Sequence, residues 1–264
     1  MSNLNNNSRY GETHIRRDAW VKSLFKTYEP EALGELIEKR IKLPLSTGPY
    51  VIPSQEGPVD IVNALIADGP EGFREKIEPA VGLLLYKMRH GQMEKSNEIL
   101  QGVFSIIRGS KLTKCLTLVQ NWLNENVSLL LSDKAKEQET MREGLMAFAK
   151  IQKKDPINEH YWTNLWRHGQ ACYWPASFHG LRQQNPKLAC NELSLLVDRK
   201  VHGKLDKAIY LVSGMWNDEN ARHQLECAIK RGLHDNHNWA GMVLNLLLEK
   251  LTEEQRSGVM ERLK

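Results

Sequence analysis

Proline is missing from two long spans of this 264-residue chain, between Pro79 and Pro156 and again after Pro186. Nothing there forbids helix following helix. Sustained alternation of apolar and polar residues is missing too, apart from brief runs near Val51, so strands are not expected. Cysteine is scarce. Cys115, Cys172, Cys190 and Cys227 lie far apart and form no C-x-x-C pair. That argues against a disulfide framework and for reduced thiols packed in a cytoplasmic interior. No apolar run approaches the roughly 20 residues of a membrane span. The polar start M-S-N-L-N-N-N-S-R lacks the apolar run of a signal peptide. The expectation is a cytoplasmic protein with no membrane partner.

Concentrated charge of one sign is absent as well. Residues 1–132 carry 16 Lys and Arg against 15 Asp and Glu, and residues 133–264 carry 20 against 17. This balance permits a nucleic-acid partner without demanding one, since such proteins usually show a basic block. Catalytic signatures are also lacking: no phosphate loop, no G-x-S-x-G elbow, no H-E-x-x-H and no dinucleotide fingerprint after a strand. No cofactor is expected, and the reading leans away from an enzyme.

What is present is helical periodicity. Trp20, Leu24 and Phe25 begin a first amphipathic helix, and Pro30 opens a second carrying Leu33, Leu36, Ile37 and Ile41. Four of the ten prolines then fall within Leu43–Pro58, which reads as an extended loop. As a binding arm it would use Tyr50, Val51 and Ile52. As a strap or linker it would not. Val59, Val62 and Leu65 or Ile66 suit a short helix, and Val81, Leu84, Leu85 and Met88 a longer one after Pro79. Further faces are Leu100, Val103, Phe104 and Ile107 with Met93, then Leu112, Cys115, Leu116, Val119 and Leu123, then Met141, Leu145, Phe148 and Ala149. The strongest is Trp239, Met242, Val243, Leu246, Leu247 and Leu251. Thr252 with Gln255 forms a capping box, while Asn185-Pro186 and Asn217-Asp218 read as starts. His90-Gly91, Arg108-Gly109, His202-Gly203 and Arg231-Gly232 read as stops, with a cation at the negative dipole end and glycine closing the helix. Two of these stops head a degenerate repeat, His90–Ser96 and His202–Ala208, in the same register.

The expected fold is therefore all-α, with antiparallel helical hairpins stacked as a degenerate HEAT-like solenoid; an irregular helical bundle is the alternative. Residues 1–10 read as a tail, 11–42 as a helical pair, 43–58 as the loop and 59–264 as the array.

The densest chemistry lies between Asp155 and Phe178, which holds six of the nineteen aromatic residues. Asp155 and Pro156 read as a helix start. Trp162, Leu165, Trp166, Gly169 and Tyr173 then share one helical face. R-H-G-Q recurs at Arg89–Gln92 and Arg167–Gln170, which suggests a stop at His168, but the unbroken face favours one helix running to a stop near Trp174, set by Pro175. The rings are an aromatic platform or, more often for such residues, core. Trp162, Trp166 and Tyr173 are expected to pack inward in part, leaving Trp174 and Arg167 as the better contact residues. His168 and Cys172, one turn apart, supply two of the four ligands a tetrahedral metal usually needs, so no metal site is assigned. His234 and Asp235 read as turn residues.

The leading functional expectation is an interaction module that presents a helical surface to a protein or peptide. Trp162, Trp166, Arg167, His168, Tyr173, Trp174 and Tyr50 are its candidate binding residues. One alternative is a nucleic-acid binder, with or without action on bases, using Arg89, Arg108, Arg167, Lys200 and Arg231 near helix ends. Another is a helical enzyme with a site near His168 and Cys172. The core reading of the aromatic stretch sets a test. Replacing Trp166 by Ala costs about 3–5 kcal/mol if the ring is core, and urea denaturation that shows a loss below about 1 kcal/mol contradicts it.

Overall fold

The computed structural model describes residues 18–42, 57–91, 96–189, 191–192, 219–235 and 238–264. Residues 1–10, Tyr50 with most of the Pro-rich loop, Met93, Lys200, the repeat copy at 202–208 and Asn217-Asp218 lie outside that set. The fold is all-α: among the described residues there is no strand. No helix among them is long and apolar enough to cross a membrane. Contacts divide the chain into two compact units, Met1–Lys153 and Lys154–Lys264.

In the first unit, α1 (18–26) lies against α2 (Pro30–Lys42). Trp20 is buried, and its indole N–H donates to the Leu36 carbonyl at 3.2 Å. The Lys76 ammonium donates to the Leu24 and Phe25 carbonyls at 2.7 and 2.9 Å, placing a cation at the negative end of α1. Next come α3 (Pro58–Asp68) and α4 (Phe73–Arg89). The second of these begins six residues before the proline expected to precede it, and Pro79 sits inside the helix. An internal proline costs about 3 kcal/mol. Burying Phe73 and Ile77 on the turns before it offsets this at about 1.5–3 kcal/mol each.

Helix α5 (Asn97–Ser110) is followed by a 3₁₀ turn at Thr113–Cys115, then α6 (Leu116–Glu125), a second 3₁₀ turn at Val127–Leu131, and α7 (Ala135–Ile151). The stop expected at Arg108-Gly109 is displaced by one residue. Helix α5 continues to Ser110, and Lys111 takes the left-handed conformation at φ 51°. Gly109 serves a different need, because a Cβ there would lie 2.4 Å from the Asn63 side chain. The glycine is where α3 touches α5, and Ser110 Oγ donates to Asn63 Oδ1 beside it at 2.6 Å. His90-Gly91 does end α4, with Gly91 at φ 68°.

Helices in this unit pack on their next-but-one neighbours: α2 on α4, α3 on α5, α4 on α6 and α5 on α7. The pairs along α4 and α6 advance together. Glu78 Oε1 accepts the Lys114 backbone N–H at 2.8 Å, Gly82 faces Leu118, and Arg89 Nε donates to both Glu125 oxygens at 2.8 Å. The two hydrogen-bonded pairs are each separated by 36 residues, so α4 and α6 run parallel in one register. Helices α5 and α7 do the same through Glu98–Lys136, Gln101–Thr140 and Arg108–Glu143, separated by 38, 39 and 35 residues. By contrast α2 runs antiparallel to α4: Glu31 pairs with Lys87 while Gly34 lies against Leu84 and Ala80.

The second unit starts with α8 (Pro156–His168), a 3₁₀ turn at Ala171–Tyr173 and α9 (Trp174–Gln184), followed by helical residues 186–189. Asp155 caps α8 by accepting from the Ile157 N–H at 2.8 Å, and Asn185 Oδ1 accepts from the Leu188 N–H at 3.0 Å. The helix expected to run through Tyr173 instead ends at His168. Gly169 is extended at φ −72°, ψ 162°, and a Cβ there would lie 2.4 Å from the Leu165 carbonyl oxygen. Pro175, expected as a stop, sits in the first turn of α9, where its missing N–H is harmless.

Among the described residues three further helices follow: α10 (Glu219–His234), α11 (Asn238–Lys250) and α12 (Glu253–Leu263). Arg231-Gly232 lies inside α10 rather than at its end. The Thr252–Gln255 capping box is formed. On α11, Val243 and Leu247 are buried, as is Leu251 just after it, whereas Met242 is 54% exposed.

Helices α8 and α9 form an antiparallel hairpin closed by glycine. A Cβ at Gly180 would lie 2.3 Å from the Trp162 ring. Gly180→Ala should therefore cost about 1–3 kcal/mol through overpacking, despite alanine's better helix propensity, as read by urea denaturation; a stabilised variant contradicts the contact.

Candidate functional site

The aromatic stretch forms the interior of the α8–α9 hairpin. Trp162 and Tyr173 are fully buried, and Trp166 and Trp174 are 3% and 5% exposed. Trp166 packs at a tilt against Trp174 and Phe178, with ring centroids at 5.6 and 5.2 Å. The Trp174 indole donates to the Gly169 carbonyl at 3.2 Å, so the residue expected to meet a partner instead fastens the turn. Burial, with Cys172 adjacent, pushes the Tyr173 phenol well above its ordinary value.

Two of the candidate residues keep exposure. His168 is exposed at the end of α8. The Arg167 side chain is half-exposed, and its Nε donates to Glu192 Oε2 at 3.0 Å while Nη2 donates to Oε1. His168 and Cys172 fall on opposite sides of the Gly169 turn and share no helical face, which removes the frame of the His–Cys site. Cys172 Sγ instead approaches Gln170 Oε1 at 3.7 Å. Among the described residues no three His, Cys, Asp or Glu side chains gather as a metal group. His234 ends α10, and its Nδ1 lies 3.0 Å from Asp235 Oδ1.

The first unit holds a cleft that the apolar faces did not point to. It has a volume of about 380 Å³ and lies where the end of α2, the start of α3, α5 and α7 meet. Ile41, Pro58 and Val59 supply its apolar wall, and Glu98, Gln101, Ser105, Arg108, Glu139 and Glu143 its polar one. Gly102 lets α2 approach, since a Cβ there would lie 2.8 Å from the Ile41 side chain. Gln101 Nε2 donates to Thr140 Oγ1 at 3.0 Å. Glu143 is only 8% exposed, and its Oε1 accepts from Arg108 at 3.4 Å and from Arg142 at 3.3 Å. The signal for this site was in the sequence: Glu98, Gln101, Ser105 and Arg108 recur at helical spacing, as do Lys136, Thr140 and Glu143. Polar stripes of this kind are ordinarily the solvent-facing sides of helices.

No family model, curated protein or solved structure matches the chain.

A second exposed feature is Val127–Leu131, V-S-L-L-L, in which no residue is buried and Leu131 is 82% exposed. A second cleft of about 340 Å³ separates α2 from α4. Its charges are matched within the chain as Lys87–Glu31, Lys39–Glu35 and Lys42–Glu38.

At the rim of the first cleft, Glu98 accepts from Ser96 Oγ at 2.7 Å and from Lys136 Nζ at 3.0 Å. These bonds hold its carboxyl at about 2, below its ordinary value of 4.5. A depressed carboxylate stabilises the fold above the unfolded value and loses that contribution as pH falls through the folded one. Stability measured from pH 5 down to pH 2 should therefore fall less steeply in Glu98→Gln than in the parent. Identical pH slopes contradict the pairing.

Proposed function

We propose that the chain is an interaction module: a helical-hairpin array, of the HEAT-like kind expected from its sequence, that presents a surface to a protein or peptide in the cytoplasm. The observation that carries this reading is the shared register of the first unit. Helices α4 and α5 are followed by α6 and α7, and each helix of the second pair lies parallel to its counterpart at a separation of 35 to 39 residues. Hairpins repeated in this way stack by translation and leave their outer rows open to partners. The cleft beside α5 and α7 and the exposed Val127–Leu131 turn lie on that body. Arg167 and His168 are the candidate contacts that the α8–α9 hairpin leaves accessible.

The nucleic-acid alternative has less support. It needs cations at helix ends turned to phosphate. Arg89, Arg108 and Arg167 are instead engaged by Glu125, Glu143 and Glu192.

The test is a pull-down of the tagged protein from its own host, with and without nuclease, washed at low and high salt. A stoichiometric protein that survives both treatments is the expected result. Recovery of nucleic acid alone, lost at high salt, overturns the reading.

A further inference from the structure

We propose that the outer face of α10 binds an acidic segment of the partner protein through Lys230 and Arg231. This rests on the interaction-module reading and supplies the chemistry of its partner. Along α10, His223, Cys227, Lys230 and His234 stand at i, i+4, i+7 and i+11, which is one helical row, and Arg231 flanks it. All of them except the half-buried Cys227 are exposed, whereas Leu225, Ile229 and Gly232 on the opposite side are buried. Between His223 and His234 the row holds no carboxylate.

What singles out these two cations is that the chain leaves them unmatched. Arg89, Arg108, Arg142, Arg167 and Arg262 are each held by a carboxylate of the chain itself. In the second unit the grip is two-pronged: Arg167 takes both oxygens of Glu192, and Arg262 takes both of Glu226. Among the described residues neither Lys230 nor Arg231 has such a partner. The carboxylates one turn away are engaged elsewhere. Glu226 is 7% exposed and holds Arg262, and Asp235 Oδ1 lies 3.0 Å from His234 Nδ1. Cations near a helix C-terminus are favoured by its dipole, but that role leaves their N–H donors open. A carboxylate accepts two parallel hydrogen bonds from a guanidinium, as Glu192 and Glu226 already do. Nucleic acid is the poorer match, because phosphate-backbone binding is built from a basic block and this row supplies one Lys and one Arg.

The test is an NMR titration of the ¹⁵N-labelled full chain at low salt. The probes are end-capped hexaglutamate, end-capped hexaglutamine and hexauridylate. With hexaglutamate, saturable shifts at the Cys227, Lys230 and Arg231 amides are expected in the millimolar range, as suits exposed ion pairs; hexaglutamine should give none. The double variant Lys230→Gln/Arg231→Gln should bind about fivefold more weakly, with its far-UV circular dichroism unchanged. Lys22→Gln/Lys26→Gln removes the same charge from exposed positions on α1 and should bind like the parent. Equal weakening by the two double variants, shifts scattered over the chain, or no shift at these amides overturns the assignment. Hexauridylate binding the same amides more tightly than hexaglutamate overturns it too, since the anion is then nucleic acid. Any of these failures alongside an intact pull-down removes only this face; an empty pull-down removes the module itself and the proposal with it.

Discussion

The first unit hangs on the burial of α5. Ile99, Leu100, Val103, Phe104, Ile106 and Ile107 are buried, and the stripe through Glu98, Gln101, Ser105 and Arg108 keeps contact with water. A helix with so wide an apolar face is stable only with several neighbours packed on it. It finds them in α2, α3, α4 and α7. Close approach on three sides is set by absent side chains: Gly102 beneath Ile41, Gly109 beneath Asn63, and Gly144 of α7 against Phe104 and Trp122. The polar ladder from Glu98–Lys136 to Arg108–Glu143 then fixes register along the one side where apolar contact would permit sliding. Apolar burial supplies the driving force, and the ladder supplies direction.

The same division of labour recurs in the second unit. Trp162 against Gly180 fixes how closely α8 and α9 pack. Arg167 with Glu192, and Arg262 with Glu226, then anchor carboxylates that are only 5% and 7% exposed. Removing one partner of such a pair strands a buried charge. These arginines therefore serve the fold before they can serve a ligand, although the position of Arg167 at a helix end first suggested phosphate binding.

Helix existence was legible because it depends on local chemistry. Asp155 as a cap, the Thr252–Gln255 box, and the faces through Leu84 and Met88 or Met141 and Leu145 are all decided within a few residues. Glycine was not legible in the same way. Gly91 closes a helix, Gly109 sits inside one to admit a neighbour, and Gly169 turns the chain in an extended conformation. Only tertiary context separates these uses, so stops were expected at Gly109 and Gly232, one and two residues before the helices end. Trp174-Pro175 failed for a related reason: a proline that ends one helix also suits the first turn of the next. The burial of Trp162, Trp166 and Tyr173 was legible, but that of Trp174 was not, because it follows from the fold-back at Gly169. The cleft was hidden because its polar stripes read as solvent sides until α5 and α7 are placed together.

The parallel register of α5 and α7 is the claim on which both the array and the cleft stand. Zero-length carbodiimide coupling, which joins an amine only to a carboxylate in contact with it, tests that register in the unaltered protein. Glu98 and Lys136 are exposed and 3.0 Å apart, so peptide mapping should recover them joined, together with Glu31 to Lys87 across α2 and α4. Lys136 joined instead to carboxylates distant from the start of α5, with the Glu98 product missing, would contradict the register and the hairpin array built on it.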